Sequence, residues 1–122
     1  MNIRLSWHAG QVTATLKDTP TTSKLKAALP FESEANRWGK EVYFEVPFEA
    51  SLEPGAKQVV DPGTVCFWVE GRSLAIPFGP TPVSKGDECR LVARVNILGQ
   101  LDSEPAILDS IKEGDRIRVE AG

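Results

Sequence analysis

One histidine, one methionine and two cysteines are all that this 122-residue sequence offers to soft-metal or redox chemistry. Cys66 and Cys89 match neither a zinc ribbon nor a Cys-x-x-Cys pair, and a tetrahedral zinc site needs more ligands than these and His8 supply. Two thiols so placed read as free, partly buried cysteines of a reducing cytosol, with a disulfide between them left open. Glu32 and Glu34 lack the repeated oxygen-ligand spacing of a calcium loop. The sequence also contains no phosphate-cradling GxxxxGK[ST] or GxGxxG run and no GxSxG nucleophile elbow. No metal and no other cofactor is therefore expected, and His8, beside a hairpin turn, reads as an exposed strand residue. Charge of one sign is missing too: 14 basic residues face 17 acidic ones, for a net charge of −3, with no basic stripe for a nucleic-acid backbone. No apolar run approaches the roughly 18 residues of a membrane helix, and the opening Met1–Trp7 alternates instead of forming a signal-peptide core. These absences predict a cytoplasmic protein that binds neither nucleic acid nor membrane.

What is present is strand patterning. Ile3, Leu5 and Trp7 share one face of a first strand, and a turn at Ala9-Gly10 leads to a second with Val12, Ala14 and Leu16 on one side. A short helix is expected next, capped by Thr21 or Thr22, with Leu25, Ala28 and Leu29 on one face and Pro30 as its stop. Residues 31–40 show neither period and read as an ordered loop. Val42, Phe44 and Val46 alternate with Glu41, Tyr43 and Glu45 in a third strand. The stretch 50–63 reads as loop, with turns at Pro54-Gly55 and Pro62-Gly63. Val65–Val69 is apolar on both faces, which predicts burial on both sides, and the turn Glu70–Ser73 pairs it with Leu74, Ile76 and Phe78. A further strand spans Leu91–Leu98 and ends at Gly99. A two-turn helix is expected from Ser103, before a last strand carrying Ile117 and Val119. At least seven strands with two short helices over residues 1–122 predict one all-β domain, a sandwich or a barrel. A closed barrel has the advantage of leaving no bare edge.

Several segments resemble a known family. These are Leu29-Pro30-Phe31-Glu32-Ser33 with Asn36, Trp38-Gly39 and Glu41–Phe44, then Gly63-Thr64-Val65 leading to Trp68. They continue with Gly71–Leu74 running to Phe78-Gly79-Pro80-Thr81-Pro82, and close with Val95–Gly99. In this order and spacing they resemble the small cyclophilin-like family of unknown function found in bacteria and archaea. The resemblance implies a closed cyclophilin-like β-barrel capped by two short helices. It does not carry cyclophilin's activity, because fold alone does not transfer function. The arginine followed by Phe-Met-x-Gln on which cyclophilin relies is absent, and the sole methionine is Met1.

Within those segments Trp38, Tyr43, Phe44, Trp68 and Phe78 accompany Glu32, Asn36, Arg72, Thr81 and Asn96. Loops converging at one barrel mouth would turn this set into an apolar cleft with polar anchors, the usual make-up of a small-molecule or peptide site. The plainer alternative is that the aromatics are core and the polar residues tie down loops. Asn96 stands out because asparagine is disfavoured in mid-strand and a buried amide needs partners. Arg72, in a turn, could grip a carbonyl or carboxylate. Three functions follow as expectations. The first is a module that binds a small molecule or extended peptide. The second is a divergent prolyl isomerase using Arg37 or Arg72. The third is a surface-interaction protein, which could act as a homo-oligomer.

Overall fold

A computed structural model describes all residues from Met1 to Gly122. The strands are β1 (Asn2–Trp7), β2 (Gly10–Leu16), β3 (Phe31–Glu34), β4 (Asn36–Arg37), β5 (Glu41–Glu45), β6 (Lys57–Val60), β7 (Thr64–Trp68), β8 (Ser73–Pro77), β9 (Cys89–Leu101) and β10 (Arg116–Ala121). Helix α1 (Pro20–Ala28) follows β2, and a 3₁₀ turn (Pro105–Ser110) precedes β10. All the strand pairs are antiparallel, in the order β3-β10-β1-β2-β9-β7-β8-β5-β4, with β6 pairing β9 beside that path. The two ends of this order, β3 and β4, are separated in the chain only by buried Ala35. One segment thus pairs with β10 on one side and β5 on the other, and the sheet curls into a nearly closed barrel. The Ala35 backbone is held there by Asp115 C=O and Gly114 N–H, both at 2.8 Å.

The inward side chains of the strands fill the barrel, among them Ile3, Leu5, Val65, Phe67, Leu74, Leu98, Ile117 and Val119. Phe67 stacks on Phe48 with centroids 5.6 Å apart. A separate cluster of Cys66, Ala75, Leu91 and Val95 packs on the outside of the barrel wall. Strand β9 makes both layers possible. Its first half pairs with β6 and lays Leu91 and Val95 over the outer face, while its second half joins the wall beside β7 and β2 and sends Leu98 inward. Where β9 crosses β2, Gly99 lies so close to Thr15 C=O and Leu16 that a Cβ would collide with backbone. The two-sided burial expected for Val65–Val69 is seen over Thr64–Phe67, and Trp68 and Val69 are half-buried.

Four sequence expectations are corrected. Residues 31–40 form β3, β4 and a turn; their polar Phe-Glu-Ser-Glu run pairs through backbone, so it lacks an apolar alternation to read. The stretch 50–63 contains β6. The cap of α1 is Thr19, whose hydroxyl accepts from Thr22 N–H at 3.1 Å, while Pro20 supplies a preset first-turn φ. Residues 105–110 form a 3₁₀ turn in place of a helix from Ser103; Leu108 and Ile111 still turn inward. No helix is long and apolar enough to cross a membrane.

Candidate functional site

The outer layer is incomplete at one place. On β5, the period of two that sends Val42 and Phe44 inward puts Glu41 and Tyr43 on the outer face. Tyr43 lies opposite Ala75 of β8, and Ala75 lies opposite Cys66 of β7. Trp38, in the turn joining β4 to β5, overhangs this surface, and Trp68 closes it at the end of β7. Together with Leu91, Val92 and Val95 of β9, these residues line a cleft of about 160 Å³.

Each aromatic wall is positioned by its local structure. Trp38 N–H donates to Glu41 C=O at 3.0 Å, closing the turn. The turn is clamped by Lys40 N–H on Pro80 C=O at 3.0 Å and by Phe78 N–H on Lys40 C=O at 2.8 Å. Tyr43 and Trp68 meet edge to face, with centroids 5.8 Å apart and planes at 89°. The Trp68 ring rests directly on Gly71, where any Cβ would collide with it.

Glu41 is the polar group of the cleft. The residue is 5% exposed, and its Oε1 is buried without a hydrogen-bond partner. Burial raises its carboxyl from 4.5 to about 7. The Cys66 and Cys89 thiols behind it are free and buried, and desolvation raises both. They are therefore inert apolar packing rather than nucleophiles. No cluster of metal-ligating side chains is present.

Of the residues singled out in the sequence, Trp38, Tyr43 and Trp68 come together in this cleft. The others do not. Phe44 is in the barrel interior. Glu32 is exposed and pairs with Arg116 and Arg118 at 3.1 and 3.4 Å. Asn36 lines an adjoining groove of about 400 Å³ that shares Tyr43 and Trp68 with the cleft. Arg72 has a positive φ of 45° and faces Glu45 and Glu49 at 3.9 and 3.8 Å. Phe78 lies under the Arg37 guanidinium at 5.2 Å. Thr81 is buried, and its hydroxyl donates to Arg90 C=O.

Asn96 is fully buried and serves the fold. Its Oδ1 accepts from Glu53 N–H at 2.7 Å, and its Nδ2 donates to Ser51 C=O and Thr21 Oγ1 at 2.9 and 3.1 Å. Its amide thereby ties the 51–53 loop and α1 to β9. The arginines invoked for isomerase chemistry are not over the cleft either. Arg37 spends its terminal nitrogens on Ile111 C=O, Gly39 C=O and Asp109. Glu41 itself was missed, because a glutamate on the outer face of a strand reads as solvated. The available signal was the two-sided apolar character of Val65–Val69, which requires a covered outer face on the neighbouring strands as well.

The largest depression, about 550 Å³ between Lys17, Lys57, Asp61 and Gln100, lies elsewhere. Its Thr64 and Gln100 side chains are bonded to each other and to loop carbonyls, so their polar groups are already partnered.

A search of the curated proteins finds no match. Among solved structures, the chain is similar to the solution structure of the hypothetical protein AF2241 from Archaeoglobus fulgidus. The identity is 30% and the TM-score 0.85, with 100% of this chain and 95% of that one covered. The Cyclophilin-like family model matches residues 1–120. A barrel of this topology, the ordered motifs along it and that match over almost the whole chain agree, and the chain belongs to the cyclophilin-like family.

Proposed function

We propose that this chain is a binding protein whose ligand, a small molecule or the side chain of an extended peptide, sits in the cleft between Trp38, Tyr43 and Trp68. The observation that carries this reading is Glu41: a carboxylate 5% exposed, with one oxygen lacking a partner, behind an aromatic opening. An unpaired buried polar atom costs about 1–3 kcal/mol, and more when charged, so a site that keeps one has a use for it. The volume suits a compact group, since a cavity near 150 Å³ holds a benzene ring. The isomerase alternative needs a guanidinium over this cleft, and neither Arg37 nor Arg72 lines it.

The test is a ¹⁵N–¹H NMR titration with phenol, benzyl alcohol and an Ala-Pro peptide. The indole N–H signals of Trp38 and Trp68 report on the cleft. That of Trp7, which donates to Ser110 Oγ at 2.9 Å, is an internal control. At least one fragment is expected to move the two cleft signals and leave Trp7 still, with the response lost in Trp68→Leu. If no fragment moves them, the cleft is only a gap in the outer packing. Exchange between the cis and trans peptide signals in the same sample reads out isomerase activity.

A further inference from the structure

Resting on the binding reading above, we infer that the ligand class is an organic ammonium ion, a protonated amine on a short apolar or aromatic body. Three observations converge. First, the cleft is walled by Trp38, Tyr43 and Trp68, and aromatic rings attract a cation placed near their faces, with tryptophan the strongest. Second, its only ionisable side chains are Glu41 and the Tyr43 phenol; no lysine, arginine or histidine lines it. Third, the adjoining groove that shares Tyr43 and Trp68 carries Glu34 and Glu45 and again no basic side chain. Carboxylates thus stand on both approaches to the aromatic pair, and of these Glu45 also faces Arg72 at 3.9 Å.

The pairing is chemically specific. A carboxylate is acceptor-only when ionised, and an ammonium is donor-only, so one N–H can pair with the Glu41 carboxylate, whose buried Oε1 has no partner in the chain, while the body fills the apolar walls. A carboxylate-bearing ligand would meet repulsion from the same group. A neutral alcohol would supply one donor without the charge, and charge-assisted bonds are roughly twice as strong as neutral ones. The nearest lysine in sequence, Lys40, does not line the cleft and sits with its Nζ 5.9 Å from the Phe78 ring, so it leaves this demand unmet.

The experiment compares three probes of one shape, benzylammonium, benzyl alcohol and benzoate, on the full chain at pH 8, read by the Trp38 and Trp68 indole signals. Benzylammonium is expected to bind at least about tenfold more tightly than benzyl alcohol, the factor given by one strengthened bond, and benzoate more weakly than either. In Glu41→Gln, whose fold is checked by its spectrum and melting temperature, the ammonium is expected to fall to the level of the alcohol while the alcohol keeps its affinity. Equal or tighter binding of the alcohol or benzoate overturns the ammonium assignment and leaves the binding reading standing. An ammonium preference that survives undiminished in Glu41→Gln overturns the pairing with Glu41, since the rings alone then carry it. If none of the three probes moves the indole signals, the binding reading falls, and this inference with it.

Discussion

The two faces of β7 are built from similar residues and end in opposite conditions. Inward, Val65 and Phe67 join a core that closes on all sides, where Phe67 stacks on Phe48. Outward, Cys66 is sealed by Ala75, Leu91 and Val95, but the layer stops at Trp68, half-buried beside a cleft with a carboxylate at its back. The same strand therefore serves as barrel wall on one side and borders the open cleft on the other. Apolar character alone does not tell the two apart. What differs is completeness of packing, and with it the fate of polar atoms. On the inner side, the buried Asn96 amide has both its oxygen and its nitrogen bonded, to the 51–53 loop and to Thr21 of α1; on the outer side Glu41 keeps an oxygen unpaired.

The sharpest way to break this contrast is to truncate neighbours on β7. Phe67→Ala is expected to cost about 3–5 kcal/mol in urea unfolding, the range for emptying a closed aromatic site. Trp68→Ala should cost clearly less and act mainly on ligand titrations; equal losses would mean that the outer layer is core like the inner one.

The next effect is a pH dependence. Glu41 binds its proton more tightly folded than unfolded, with its carboxyl at about 7 against 4.5. Its contribution is therefore complete below pH 4.5 and is lost as pH rises to about 7, a fall of up to roughly 3 kcal/mol. The Cys66 and Cys89 thiols facing it stay neutral across this window, since both are raised. Denaturant melts of Glu41→Gln should remove this slope; an unchanged slope would assign it to other carboxylates.

Asn96→Ala strips partners from Glu53 N–H, Ser51 C=O and Thr21 Oγ1, and should cost about 2 kcal/mol by the same melts. It should leave binding in the cleft intact. Smallest of all is Arg72→Ala. Its ion pairs are exposed and long, so the change should stay within about 0.5 kcal/mol and leave fragment titrations unaltered.

Much of the barrel was legible in the sequence because alternation is a local signal. β1, β2, β5 and β10 each repeat with a period of two, and the two-sided strand at Val65–Val69 announced a second buried layer. The segment 31–37 was hidden for a physical reason. Its Phe-Glu-Ser-Glu run pairs with β10 through backbone groups and carries no apolar face of its own. At the site, Trp38, Tyr43 and Trp68 stood out as aromatics in the family motifs. Glu41 did not, because its burial depends on β9 returning over the outer face, a contact between distant parts of the chain. Asn96 was marked as unusual, and only the positions of Ser51, Glu53 and Thr21 decide that its partners are loop and helix.

The strip 31–37 closes the barrel by pairing with β10 and β5 at once, and Trp38 is the next residue along the chain. Any molecule held between Trp38 and Trp68 would therefore fasten the loose end of the sheet to its middle. Occupancy would be felt as a tighter seam: slower amide exchange along residues 31–37, and a melting temperature that climbs with ligand concentration as mass action requires. In this architecture the clasp and the cleft meet at Trp38, so the seam itself would report whether the cleft is filled.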